Sequence, residues 1–553
     1  MAEAGAIAPQ VFTRRASGLV RVMSPYSAFI YNILTMGIIF PWTYVWAPTA
    51  LQGSNLVLGI VFAFLFELPI ALAYVWLATA LPRSGGDYVF QSRVFGGGFG
   101  FTVVFAFFVV WILQWVALSG WLLAALGVAP TFIGLGVTTG VGFFTDVGTW
   151  AAGANGIVII SILNALVSLV LLVSGFRNYV RFQYVMWYAI LVSFGIVLLL
   201  FLTTSPDAAA GKLDTFAGEV DGVSGFFATA RAAAESAGVN FDPPFWMLGT
   251  LLVAPIAWTS LQWATYSSEQ GGEIKNAHVF RNQVFIMVGS LAVTAGLLIL
   301  LALVMQKGIG GDGILVASSG YWYAVPEATI GGNIMFPNLM AMAFTSSPIV
   351  VALIGLGFIL NSFQIVCNCY IGTTRIMVAQ GLDGLLPDWF ARVHPRWKTP
   401  VNAHIAYFLA AIPVILLFNN KFPGLDVPDW STKWALGVTF ANGAVMTISA
   451  LAAALLPYRA RKVYEASPGA KYMLGGTPAV TVIGAAGFVL GSLMVGSFLF
   501  REELGLAATS NAFPYYIVAA TAVFGLLVYW LMRAFRAGKG LRVEYAFAEI
   551  PPE

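Results

Sequence analysis

The sequence predicts an all-α polytopic membrane protein of about twelve transmembrane helices, and three observations predict it. Hydrophobic residues make up 59% of the chain and charged residues 9%, with a mean hydropathy of +0.84. A soluble domain carries about 25% charged residues, so this composition excludes one. Apolar runs of spanning length recur along the chain. Between them, Lys and Arg gather on alternate connections, as the bias of membrane proteins toward basic cytoplasmic loops requires.

The first run, Pro25–Trp46, reaches the roughly 20 residues a helix needs to cross the hydrocarbon core, yet carries Gly37 and Pro41 near its centre. A helix interrupted there leaves backbone groups unpaired, and hydrocarbon tolerates such groups only where protein or a wet cavity covers them. Further runs follow at about Leu56–Leu81, Gly100–Leu126, Ile157–Val173 and Tyr184–Thr203. The second half has runs at about Phe245–Tyr266, Val284–Met305, Leu339–Tyr370, Ile405–Phe418, Ala435–Leu456, Val480–Leu499 and Tyr516–Met532. The polar stretch Ser205–Pro244 is expected as a long external loop with a short surface helix over Ala228–Ala237, and Gln306–Pro337 as a second, glycine-rich one holding Tyr321, Trp322 and Tyr323.

Orientation follows from charge. Placing the N-terminus inside puts Arg83, Arg93, Arg177, Arg181, Lys275, Arg281, Arg392, Arg396 and Lys398 in cytoplasmic loops, together with Arg459–Lys471 and the tail from Arg533. The N-terminus, with Arg14, Arg15 and Arg21, lacks a short apolar core with a cleavage site and reads as a retained tail, so both termini are expected in the cytoplasm. The organisation expected is a tail over 1–22, five helices over 23–203, an external loop over 204–244, five helices over 245–457, two more over 458–535 and a tail over 536–553.

The sixth run also holds a breaker, Pro255, followed by the polar and aromatic cluster Trp258–Trp263. It starts on the opposite side from the first, so two five-helix units of inverted orientation would each begin with a broken helix. Interrupted helices in corresponding positions of two halves point to a transporter's binding site near the bilayer midplane. Glu67 is the acid deep inside an apolar run. An ionised carboxylate there is costly unless paired or protonated, so Glu67 reads as a proton carrier or as a protonated structural acid.

Other chemistries fit poorly. The net charge of +3 is scattered, which gives no nucleic-acid surface. Cys367 and Cys369, two apart in an apolar run, suit neither a disulfide nor a metal site. His278, His394 and His404 sit in or beside loops and form no zinc or haem motif. Gly96–Gly100 has no preceding strand and no following lysine, so it starts a helix rather than cradling phosphate. No enzyme and no cofactor is expected beyond a coupling sodium ion or proton; the partners are a small-molecule substrate and the bilayer, with oligomeric state open.

Three stretches carry a resemblance. Pro82-Arg-Ser-Gly-Gly-Asp-Tyr88 with Arg93, then Glu273-Ile-Lys-Asn276, then Arg375, Gln380–Gly384, Leu386-Pro387 and His394–Pro400 resemble, in register, the amino acid, polyamine and organocation (APC) transporters. Ala277 stands where that family usually has proline. The resemblance implies a LeuT-like fold of five plus five inverted helices with two C-terminal helices. It also implies alternating-access transport of amino acids or amines across the cytoplasmic membrane, by proton or sodium coupling or by exchange. Carried onto this chain, the substrate site falls on Thr35, Met36, Gly37 and Ile38 of the first helix and on Trp258, Thr259, Ser260 and Leu261 of the sixth. Trp258 is read either as a gate or as packing. Gln114, a helical turn from Trp111, and Asn361 are further lining candidates, and Ser362 joins Glu67 as an ion-coupling candidate. Thr35 and Met36 replace the family's usual glycine and small residue, which reshapes the carboxylate cradle. No lysine lies between Phe182 and Ser205, where some proton-coupled members have one. With no charged side chain assured in the pocket, a neutral or apolar amino acid is the expected substrate; an ion channel or a solute-sensing receptor on the same fold is the alternative.

Overall fold

The computed structural model describes residues 17–39, 42–426 and 430–548, and of 430–438 and 548 the backbone alone. Arg14, Arg15, Phe40, Pro41 and residues 549–553 therefore lie outside the described residues. Eleven helical segments among the described residues are long and apolar enough to cross a membrane, which makes the protein an integral, multi-pass one. The difference from about twelve lies in the opening run. It is divided into α1 (Pro25–Met36) and α2 (Thr43–Ala50), neither long enough to span alone. Ser24 caps α1 by accepting from the Ser27 amide, and Pro25 starts it. Gly37 ends it at φ 73°, a left-handed conformation that favours glycine, with its amide bonded to the Ile33 carbonyl.

The chain continues through α3 (Leu56–Ala80), the short α4 (Gly86–Phe95) and α5 (Gly97–Thr139). α5 is longer than the run Gly100–Leu126 because two π-helical stretches, Phe105–Val110 and Leu122–Val128, let it adjust its pitch and continue. After α6 (Gly142–Ala152) come α7 (Ala154–Val173) and α8 (Phe176–Thr203). The stretch Ser205–Pro244 folds as two helices, α9 (Pro206–Asp221) and α10 (Phe226–Ser236); the second matches the expected surface helix and the first was not anticipated.

α11 (Met247–Leu261) corrects the expected break at Pro255. The helix runs through that proline, and the backbone changes only at Gln262, where a 3-10 segment, Gln262–Glu269, begins. Membrane helices tolerate proline because neighbours satisfy the freed carbonyl. The stretch Gln306–Pro337 is likewise corrected: α12 (Phe280–Trp322) continues past a kink at Gly310, φ 70°, so Tyr321 and Trp322 are helical. A two-residue antiparallel hairpin follows, Thr329 opposite Ile334, then α13 (Pro337–Ala343). The eighth run starts at Pro348 rather than Leu339, as α14 (Pro348–Leu382). Last come α15 (Val401–Phe418), α16 (Trp430–Arg459), a second hairpin with Met473 opposite Pro478, α17 (Ala479–Phe500) and α18 (Phe513–Ala537).

α1 lies against the 3-10 segment and α14. Asn32 makes the first joint. Its Nδ2 donates to the Ala264 carbonyl at 2.6 Å and to Ser267 Oγ at 3.1 Å, and its Oδ1 accepts from the Ser267 amide at 2.9 Å. The two irregular segments are thus fastened to each other where neither can bond fully within itself.

The three family-like stretches meet at one arginine-rich end. Arg375 grips Glu273 in a bidentate pair at 2.7 and 2.9 Å, with both side chains fully buried, while its guanidinium stacks 4.8 Å over Phe176. Arg93 holds Asp383 at 2.7 and 3.2 Å, and Tyr88 donates to the same carboxylate at 2.7 Å. Met23 pairs with the Glu273–Lys275 backbone, tying the entry of α1 to this knot. Nearby, burial pushes the Asp87 carboxyl up, while hydrogen bonds from Ser449 and Tyr74 pull the other way. Asp388, by contrast, is held below the usual carboxylate range by its hydrogen bond from Arg536.

A buried pair with one partner removed leaves an uncompensated charge, whereas an apolar replacement of both does not. Glu273→Gln should therefore cost about 3–5 kcal/mol, read as a lower melting temperature in detergent, and the double variant Glu273→Met with Arg375→Met should melt closer to the parent. A single variant that melts with the parent contradicts this.

Candidate functional site

The end of α1 opens onto a cavity of about 30 Å³, room for one or two waters. Its walls come from five places. Thr35, Met36 and Gly37 close α1; Thr259, Ser260, Trp263 and Tyr266 come from α11 and the 3-10 segment. Ile112, Trp115 and Leu122 lie on α5, and Ile365 and Cys369 on α14. Trp42, at the start of α2, completes the lining. No Asp, Glu, Lys, Arg or His is among these residues.

Five expected residues line the cavity: Thr35, Met36, Gly37, Thr259 and Ser260. Thr35 is held firmly, its hydroxyl donating to the Tyr31 carbonyl and accepting from Asn368 Nδ2, both at 2.6 Å. Asn368 in turn accepts from Tyr179 through its Oδ1. The bulk that Thr35 brings to the turn is therefore part of a fixed network joining α1, α8 and α14. Asn361 sits behind the lining and donates to the Leu34 carbonyl at 3.2 Å, one of the acceptors that the end of α1 leaves free. Its Oδ1 has no partner among the described residues, and neither does Ser362 Oγ. Both oxygens are buried.

The other expected residues point elsewhere. Ile38, Leu261 and Gln114 are buried outside the lining, and the Trp111 indole donates to Thr521 at 2.9 Å on α18. Trp258 faces away from the cavity. Its Nε1 donates to Glu67 Oε2 at 2.5 Å, and its ring packs so closely on Gly443 that a Cβ there would come within 2.6 Å of it. Glu67 is fully buried behind α11, and its Oε1 has no partner among the described residues.

Trp42, Trp115, Trp263, Tyr266, Ile365 and Cys369 were not singled out as lining from the sequence. Part of the signal was present: Thr259, Trp263 and Tyr266 share one face by helical spacing, as do Asn361, Ile365 and Cys369. Trp42 carried no such signal. It stacks on Trp121 at 6.3 Å and meets Tyr321 at 5.3 Å and Phe336 at 5.6 Å, an aromatic cover on the cavity away from the arginine-rich end. Among the described residues no three His, Cys, Asp or Glu side chains come together to hold a metal ion.

A family model described as amino acid permease matches residues 25–531. A stretch of 163 residues is 28% identical to the methylthioribose transporter of Bacillus subtilis (strain 168), covering 29% of this chain and 31% of that one. A stretch of 87 residues is 32% identical to Uncharacterized protein 399 of Sulfolobus islandicus rod-shaped virus 1, covering 16% of this chain and 22% of that one. The matched stretches thus span less than a third of either relative. With the family model running through residues 25–531 and all three motif stretches, this chain belongs to the amino acid permease family of the APC superfamily and is a multi-pass membrane protein.

Proposed function

We propose that the protein carries a neutral amino acid across the cytoplasmic membrane by alternating access around the cavity at the end of α1, with both termini in the cytoplasm. The observation that carries this reading is the cavity's make-up: broken backbone at its centre, aromatic and aliphatic walls, and no charged side chain. A substrate with ionised ends is then held by backbone. The N-terminus of α2 has no side-chain cap among the described residues, which suits a carboxylate, while the carbonyl end of α1 suits an ammonium group. About 30 Å³ does not hold an amino acid, so loading requires the walls to separate, with the aromatic cover of Trp42 moving on one side and the ion-pair knot on the other.

Glu67 is the proposed coupling group. It touches α11 through Trp258, directly before the cavity residues Thr259 and Ser260, so gain or loss of a proton at Glu67 bears on the wall that substrate touches. An uncharged aromatic cavity also suits a neutral sugar thioether of the kind named for the Bacillus subtilis relative, and this is the second reading.

A panel of radiolabelled amino acids, amines and methylthioribose in proteoliposomes, with pH and sodium gradients imposed separately, tests both. Uptake of neutral amino acids supports the proposal. Uptake of methylthioribose alone replaces it with the second reading, and ion conduction without uptake overturns both.

Met36→Ala enlarges the cavity without removing a hydrogen bond, so bulkier neutral substrates should gain roughly tenfold in competition against small ones, about 1.4 kcal/mol. An unchanged ranking takes Met36 out of the site. Glu67→Gln should transport with little remaining dependence on external pH while still binding substrate. Uptake that keeps its full pH dependence, or that follows a sodium gradient in both proteins, contradicts the proton role.

A further inference from the structure

Where α4 begins against the 3-10 segment, two acids are buried together with no cation between them. Asp87 is 2% exposed and Glu269 wholly buried, and among the described residues neither meets a Lys, Arg or His side chain. The Asp87 amide donates to Glu269 Oε1 at 3.1 Å, which brings the two carboxyl groups within hydrogen-bonding reach of each other. Glu269 Oε2 is buried and takes no donor from the other described residues. The joint around them is tight. The Gly85 amide donates to the Glu269 carbonyl at 2.9 Å, Ser84 and Gln270 form an antiparallel bridge, and a Cβ on Gly86 would come within 2.8 Å of the Ser268 backbone.

Two carboxylates side by side away from water repel too strongly for both to be charged, so the pair holds one proton. The donors say where it lies. Asp87 Oδ1 accepts from the Tyr74 and Ser449 hydroxyls, which favours the ionised form there. Glu269 receives the Asp87 amide at Oε1, so a proton on Oε2, donated to Asp87, gives that oxygen its partner. The neighbouring ionisable groups supply no positive charge to the pair. Tyr74 on α3, Tyr31 on α1 and Tyr266 on the 3-10 segment are phenols. Arg93 is held by Asp383 and Arg375 by Glu273, while Arg83 donates to the Pro82 carbonyl. Glu544, in the segment packed on α4, pairs with Arg533.

We propose that Asp87 and Glu269 share one proton, and that this proton latches the 3-10 segment to α4 and α16 at the arginine-rich end. Losing it leaves two buried carboxylates facing each other, and the segment lets go. The same segment carries Trp263 and Tyr266 of the cavity wall, so release opens the cavity toward that end, a consequence that rests on the reading that the walls separate for loading. The site is separate from Glu67, which bonds Trp258 on α11.

Hydrogen exchange of the full chain in nanodiscs reads the latch without transport. The Gly85 and Asp87 amides, both bonded to Glu269, should be well protected in acid. Burial raises the Asp87 carboxyl, so the latch is at full strength below the ordinary carboxylate range and is lost as pH rises through the raised value. Over that interval protection, corrected for intrinsic exchange, should fall about tenfold per pH unit, the signature of one proton. Glu269→Gln and Asp87→Asn each replace the shared proton with an amide donor, so both should stay protected with no pH slope. Glu67→Gln should keep the slope. Flat protection in the parent, a slope that survives both amide variants, or a slope abolished by Glu67→Gln overturns the proposal. If the uptake panel finds no substrate, the transport reading falls while the exchange slope still decides the latch.

Discussion

A helix that stops inside a bilayer leaves carbonyls and amides that water does not reach, and the architecture around α1 answers that problem. Gly37 turns the chain at positive φ, and Asn361 crosses from α14 to the Leu34 carbonyl. Asn32 crosses to the 3-10 segment, and Asn368 fixes Thr35. Each bond joins elements far apart in sequence. The break is therefore held by the second half of the chain, and Thr35, Met36 and Gly37 beside it line the cavity. Binding a zwitterion through such backbone needs no charged side chain, and the cavity has none.

The same economy explains the ends of the bundle. At the arginine-rich end, largely buried ion pairs join the link after α3, the segment after α11 and the end of α14. Buried pairs add little net stability compared with apolar packing, but removing one partner is costly because it leaves an uncompensated buried charge. At the other end the contacts are aromatic: Trp42 packs against Trp121, Tyr321 and Phe336. The two ends of the bundle are thus held by different interactions.

Much of this was legible in the sequence. Composition gave the class, runs gave the spans, and a glycine in the first run located its break. The stretches Pro82–Tyr88, Glu273–Asn276 and Arg375–Pro400 were read separately, and the structure joins them in one knot. What sequence could not supply was pairing across distance. Trp258 and Glu67 were each singled out, yet only the fold shows that they bond to each other, which turns Trp258 from the cavity. Tyr179 and Asn368 were invisible because neither means anything without the other, 189 residues apart. Pro255 misled because proline marks a break in water more reliably than in a packed membrane helix, and the real change of backbone came at Gln262. The π-helical stretches of α5 and the kink of α12 lacked a period that the apolar pattern would reveal.

The central claim is that substrate binds in the cavity at the end of α1. The chain holds two cysteines, and of these Cys369 lines that cavity while Cys367 does not. In a Cys367→Ser background, the rate at which a small thiosulfonate reagent modifies Cys369 measures occupancy directly. Saturating substrate, identified by the uptake panel, should slow that reaction at least several-fold, and a non-transported analogue should leave it unchanged. A modification rate that stays the same with and without a transported substrate would place the binding site elsewhere.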